Sequence, residues 1–429
     1  TSMLFHRPVL HFLLIVGLLL IFLRLTNSPS STTHVKSVNS TLGFGRIYAV
    51  SKAGSPRRGR LIRAANVTEL HITIPLQPEW TAHDLDGFRL REGSVISNGS
   101  ALAWLGHLYA LRQFLGSGDE TALVLEDDVD WDVRLRSVQM PLLSSALGKI
   151  LPGSVSTAYP YGKPDDWDLL YLGHCGDYWG PVYEGFQADH YKPEDLAETA
   201  HVAFADSTML DMKDLHPWTS SQFARLAVAP STRLVHRSKF PLCTFAYAVT
   251  RASASRLLSD LAGREVKDGP GAYDVAILEA CRDKGLRCWT VNPELFHHVP
   301  GPSAIGDVDH RNRDPGPVDA MGRARAYERG ETPNIGCGFW RGGVEFEHGD
   351  HGHLEWLRRE YGRKGRCKEK AVEDKMRLLA TNSSARCESQ PMEITLGIRH
   401  NVGDVYVYIY IYTYVCKKVA CCSPVLTSD

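Results

Sequence analysis

No charge of one sign dominates this chain: 48 Lys and Arg stand against 49 Asp and Glu, a formal charge of −1 over 429 residues. A grip on nucleic acid through a basic face is thereby excluded. Cysteine is scarce, ten in all, too few for a disulfide-held miniprotein but enough for a few bridges in an oxidising compartment. Glycine (37) and proline (23) stay near average, which excludes collagen-like and low-complexity chains. There is no internal repeat, no Walker loop, no G-x-S-x-G elbow and no Cys/His pair placed as a thiol nucleophile. The rest is the composition of a folded globule, 43% hydrophobic and 23% charged, so wholesale disorder is excluded too. At roughly 100–200 residues per domain, the length allows one large domain or two to three small ones.

The longest apolar run is Val9 to Leu23, flanked by Arg7 and Arg24. At about 1.5 Å per residue it barely crosses a hydrocarbon core of roughly 30 Å, which suits a thin early-secretory membrane. A cleaved signal peptide and an uncleaved anchor compete for this segment. No small-residue cleavage site follows, and Leu25-Thr26-Asn27 fits one poorly, which favours the anchor. The expected organisation is a cytosolic tail over 1–8, a transmembrane helix over 9–25 and a stem over 26–42 rich in Ser, Thr and Asn. A folded domain over 43–345 and an extension over 346–429 complete it. N-x-[ST] sequons at Asn39, Asn66, Asn98 and Asn382 fit a lumenal domain. The expectation is a single-pass type II membrane protein of the Golgi or endoplasmic reticulum. In the extension, Val405 to Val415 alternates β-branched residues with Tyr. It has the pattern of an aggregation-prone strand, and equally of a translated TA/TG dinucleotide repeat.

Between 43 and 302 strand and helix patterns alternate. Arg46 to Val50, Leu70 to Ile74, Thr121 to Leu125, Trp167 to Gly173 and Arg287 to Val291 read as strands. A helix over Ala101 to Leu115 is capped by Ser100 and closed by Gly116, and Ser253 to Ala262 and Tyr273 to Lys284 read as two more. This order predicts an α/β domain with a mostly parallel sheet flanked by helices.

Chemistry concentrates in Glu126, Asp127 and Asp128, immediately after the strand Thr121 to Leu125. Ligands of open α/β sheets bind beyond the carboxyl ends of strands. Extended backbone places Glu126 and Asp128 on one side and Asp127 on the other. Two carboxylates side by side repel unless a cation sits between them. A hard divalent ion such as Mn²⁺ or Mg²⁺ suits oxygen ligands and can hold a diphosphate. An acidic turn capping a helix is the plainer alternative.

The segment SALAWLGHLYALRQFLGSGDETALVLEDDVDWD resembles glycosyltransferase family 25, which includes lipopolysaccharide and collagen galactosyltransferases. The resemblance, closest to a fungal-type subset, continues in Asp166 to Asp177, Cys243 to Leu258 and Ala272 to Cys281. It implies a GT-A fold, a UDP-sugar donor (usually UDP-galactose), a divalent metal and inversion at the anomeric carbon. The acceptor would be a glycan, a protein or a lipid. The family's opening I-N-L-x-R-R-like segment is replaced here by Ala49-Val50-Ser51-Lys52, with Arg57, Arg58 and Arg60 following later.

On this reading Glu126, Asp127 and Asp128 hold the metal, joined by His298 after the last strand. Arg57 and Arg58 are candidates for the diphosphate, and a solvated loop is the plainer account of them. Asp274 matches the family's acidic residue at a helix start and is the candidate base, expected to stay ionised there; a plain N-cap is its alternative. His107 is expected to pack in the core. Asp307 and Asp309, and the cluster His348, Asp350, His351 and His353, rank lower as metal sites. Of Cys175, Cys243, Cys281, Cys288 and Cys337, the pair Cys281 and Cys288 lies within reach, while the connectivity stays open. A metal-dependent phosphohydrolase and a non-catalytic sugar-binding protein are the alternatives to a transferase.

Overall fold

The computed structural model describes residues 38–151, 153, 155–179, 190–212, 215, 217–299, 304–309 and 346–366. The expected anchor over 9–25, Asn382, Cys337 and the run Val405 to Val415 lie outside them. In chain order the strands are β1 (Arg46–Val50), β2 (Ile72–Thr73), β3 (Thr121–Glu126), β4 (Val129–Trp131), β5 (Leu169–Gly173), β6 (Gly176–Tyr178), β7 (His201–Ala205), β8 (Thr232–Arg237), β9 (Phe240–Leu242), β10 (Ala246–Thr250), β11 (Cys288–Asn292) and β12 (Phe296–His298). The helices are α1 (Arg58–Thr68), α2 (Ala82–Phe88), α3 (Asn98–Ser117), α4 (Met140–Ile150), α5 (Asp195–Glu198), α6 (Pro217–Arg225), α7 (Arg251–Arg256), α8 (Tyr273–Arg282), α9 (Ala304–Val308) and α10 (His351–Leu357).

Eight strands form one sheet in the order β2-β1-β3-β10-β5-β11-β8-β7. Its interior reads as continuous apolar sequence because both faces are covered. Leu123, Leu125, Leu170 and Ala248 turn to one face, with Leu61 and Ala64 of α1 and Leu143 and Leu147 of α4. Ala122, Val124, Tyr171 and Tyr247 turn to the other, with Trp104, Leu108 and Leu111 of α3 and Ile277 of α8. Residues 346–366 close the first layer, where Leu357 and Tyr361 pack into the same cluster and Arg358 Nε donates to the Asn66 carbonyl at 2.8 Å.

The sheet is mixed, which corrects the expectation of a mostly parallel one. β1 runs parallel to β2 and β3, and β11 to β5, but β10 is antiparallel to both β3 and β5, as β8 is to β7 and β11. Hydrophobic periodicity carries no strand direction, and β10 is buried along its whole length. The expected transmembrane helix gains no support: among the described residues, no helix is long and apolar enough to cross a membrane, and 9–25 lie outside them.

Local signals placed several elements closely. α3 starts at Asn98, three residues before the expected Ala101, because Ser97 rather than Ser100 is the cap: its Oγ accepts the Ser100 N–H at 3.2 Å. It ends on Gly118 at φ 83° rather than on Gly116, since the left-handed closing conformation suits glycine.

Candidate active site

A cleft of about 420 Å³ opens where β1 and β3 end and β10 begins. Because β10 enters the sheet antiparallel, it delivers the residues that precede it, Cys243, Thr244 and Phe245, to the same edge as the carboxyl ends of its neighbours. The Glu126 N–H donates to the Phe245 carbonyl at 2.9 Å, which locks the two segments together. β12 pairs antiparallel with β4, so that His298 lies opposite Val129, and the Val299 N–H donates to the Asp128 carbonyl at 2.7 Å. His298 thereby stands beside Asp128, with Nε2 3.4 Å from Oδ2.

Glu126, Asp127, Asp128, Asp274, Arg57 and His298 all line this one cleft. Arg58 does not. Its Nη2 donates to the carbonyls of Ser51 and Lys52 at 3.1 and 3.2 Å, which shapes the loop after β1. The expected alternation also fails: β3 ends at Glu126 and the chain turns at Asp127 and Asp128, so both aspartates face the same guanidinium. Arg57 Nε donates to Asp127 Oδ1 at 2.8 Å, and its Nη1 reaches Asp128 Oδ2 at 2.9 Å. Ser51 Oγ donates to Asp127 Oδ2 at 2.7 Å.

Glu126 is oriented separately. Thr244 Oγ1 donates to its Oε1 at 2.8 Å, and His107 Nε2 lies 3.6 Å from the same oxygen. His107 is buried, as expected; its Nδ1 is 3.2 Å from the Tyr247 hydroxyl, which is 2.9 Å from that of Tyr273. This chain of groups ties Glu126 into the α3–β10–α8 layer.

Asp274, Asp128 and His298 depart from their ordinary behaviour. Burial raises the pKa of Asp274, and the charge of Glu126 adds to this, although the N–H groups of Val275 and Cys243 oppose it. At this helix start, desolvation outweighs the N–H groups that favour the charged form. Burial also opposes ionisation of Asp128, but the hydrogen bond and charge of His298 and the charge of Arg57 prevail, and its pKa falls. Burial against Phe245, whose ring centroid lies 4.9 Å away, disfavours a charged His298; Asp128 and then Glu126 outweigh that and raise its pKa. The other edge of the ring remains open to the cleft, leaving 42% of the side chain exposed.

Among the described residues no group of three or more His, Cys, Asp or Glu side chains is placed to hold a metal ion by itself. The cleft instead offers a half-site. Asp128 Oδ1 is buried without a hydrogen-bond partner, and Oδ2 faces His298. Four carboxylates against Arg57 and Lys52 leave the lining negative. Such a donor set fits Mn²⁺ or Mg²⁺ carried with a phosphate ligand, since these ions keep several waters and need only one or two protein carboxylates.

The other candidates resolve plainly. Asp309 caps α3, accepting from Ser97 Oγ at 2.6 Å and the Gly99 N–H at 2.8 Å. Asp350 caps α10 through the His353 N–H. Cys281 and Cys288 are bonded, as are Cys175 and Cys243. Sequence reasoning missed Ser51 and Thr244. Ser51 was findable, because it directly follows the strand beside β3; Thr244 was not, because it precedes a strand of unread direction. Comparison of the sequence with protein-family models and with curated proteins finds no match.

Proposed function

We propose that the chain is a metal-dependent glycosyltransferase that moves a hexose, galactose by its resemblance to family 25, from a UDP-sugar to an acceptor hydroxyl. One observation carries this reading. Segments far apart in sequence that resemble that family, around Glu126, Cys243 and Asp274, meet in a single negative cleft. Asp128 and His298 would hold the divalent ion, which supplies charge neutralisation to the departing diphosphate. Arg57, at the start of α1, supplies a second positive charge there. Asp274 is the base: it takes the acceptor proton as that oxygen attacks the anomeric carbon. The bond from that carbon to the diphosphate oxygen breaks, its electron pair stays on the phosphate, and the configuration inverts. Asp274's raised pKa makes it a stronger base than an ordinary aspartate. Positioning and electrostatic complementarity supply most of the acceleration.

The test is a donor screen on the full chain with MnCl₂, reading UDP release from UDP-galactose and other UDP-hexoses. The expected result is turnover that falls at least about a hundredfold in Asp128→Asn. A folded protein that neither binds UDP with Mn²⁺ nor releases it from any UDP-hexose overturns the reading. Release of inorganic phosphate instead would point to a phosphohydrolase.

A further inference from the structure

Arg57 occupies an unusual position for a phosphate ligand, because its guanidinium is already engaged by the carboxylates that would bind the metal. Nε is on Asp127 and Nη1 is on the Asp128 oxygen that also faces His298. The other Asp128 oxygen is buried and has no hydrogen-bond partner among the described residues. Asp127 keeps a separate donor, Ser51 Oγ, so it does not depend on Arg57 alone. Among the described residues, His298 and Arg57 are the cations beside Asp128. A buried carboxylate needs compensating positive charge, and Arg57 shares that task with His298.

We infer that Arg57 is an internal stand-in for the divalent ion, and that it exchanges partners when substrate binds. This rests on the proposed metal and diphosphate reading of the same cleft. An ion at Asp128 and the Nη1 of Arg57 compete for one oxygen, and two adjacent positive charges repel. Ion entry therefore releases Nη1 from Asp128. Nε keeps Arg57, which sits at the N-terminus of α1, on Asp127, and Nη1 turns to the diphosphate. Arg57 is thus a positioning residue that makes metal and nucleotide binding mutually dependent, with each raising the other's affinity by the same factor. Without nucleotide, Arg57 weakens metal binding; with nucleotide, it no longer opposes the ion. Arg58 cannot take this part, because its guanidinium is spent on the backbone of Ser51 and Lys52.

The experiment titrates Mn²⁺ into the full chain by calorimetry, with and without UDP, for wild type, Arg57→Gln and Arg57→Lys. Charge-assisted hydrogen bonds of this kind imply that Arg57→Gln binds Mn²⁺ alone about tenfold more tightly than wild type. The same variant is expected to lose most of the gain in Mn²⁺ affinity that UDP confers on wild type. Arg57→Lys keeps the charge but cannot bridge two carboxylates, so its affinity for Mn²⁺ alone lies between the two. It also carries the test if the neutral variant fails to fold. Mn²⁺ affinity in the variants equal to or below that of wild type overturns the exchange while leaving the metal reading intact. No Mn²⁺ binding by any folded form overturns both.

Discussion

The N–H of Cys243 donates to Asp274 Oδ2 at 3.3 Å while the Cys243 sulfur is bonded to Cys175. One residue, held at φ 64°, thus ties the entrance of β10 to the candidate base on α8 and to the loop after β5. Left-handed backbone is uncommon for a residue with a side chain, and here both attachments act on it.

Removing this bridge is expected to cost more than removing the other one. The loop between Cys175 and Cys243 spans 68 positions, that between Cys281 and Cys288 only 7. Loop-closure entropy then gives about 4 kcal/mol for the first and about 2 kcal/mol for the second. Paired Cys→Ser variants compared by urea denaturation test the order. On the proposed transferase reading, the Cys175/Cys243 variant should also lose turnover, because Asp274 loses a fixed donor.

Asp274 links stability to pH with a definite sign. Burial and then Glu126 raise its pKa in the folded chain, so the folded state holds the proton more tightly than the unfolded one. Its contribution to stability is fully present below the unfolded pKa and is lost as pH rises through the folded pKa. At neutral pH its ionised form burdens the fold. Asp274→Asn is therefore expected to raise the melting temperature at neutral pH while lowering kcat by about 10²–10⁴-fold. In wild type, the acid limb of the kcat/KM profile should fall above the usual aspartate range. An unchanged profile in the variant would remove Asp274 from the mechanism.

Much of this arrangement was legible in the sequence. Glu126 to Asp128 at the end of an apolar strand, Asp274 at a helix start and His298, which ends β12 rather than following the last strand, line one cleft. Spacing fixes where elements begin, because caps and periodicity are local. What stayed illegible is non-local. That Ala246 to Thr250 enters between β3 and β5 in the opposite sense depends on pairing with residues over seventy positions away. Asp127 and Asp128 meeting one guanidinium depends on the turn that ends β3 at Glu126. Arg57 reaching across to both depends on where α1 starts, which no side-chain cap marks.

Gly99 is expected to tolerate no side chain. A Cβ there would collide with the Ile305 carbonyl oxygen and stand 2.9 Å from its Cα. Ile305 and Val308 wall the cleft, and Asp309 clasps the Gly99 N–H. Gly99→Ala should push residues 304–309 off α3 and cost about 1–3 kcal/mol. Limited proteolysis after this segment, accelerated in the variant, checks the displacement.

The pair Arg233 and Asp206 makes the last expectation, because almost nothing of either side chain reaches solvent. Nε meets Asp206 Oδ2 at 2.6 Å, and Nη1 donates to the carbonyls of Pro293 and Glu294 at 2.6 and 3.0 Å. Asp206 Oδ1 accepts the Thr208 N–H and hydroxyl at 2.8 and 2.6 Å. Burial pushes the Asp206 pKa up, but Arg233 and Thr208 prevail and lower it. A depressed folded pKa means stability present above the unfolded pKa and lost as pH falls through the folded one. Arg233→Met leaves a buried carboxylate unpaired and should cost about 3–5 kcal/mol, whereas replacing both partners by apolar residues should recover most of it. Urea denaturation of the singles and the double measures this cycle. The two carbonyls that Arg233 holds lead directly into β12, so, on the proposed metal reading, the single variant should also weaken Mn²⁺ binding at His298. A single variant as stable as wild type at neutral pH would show that the pair contributes nothing.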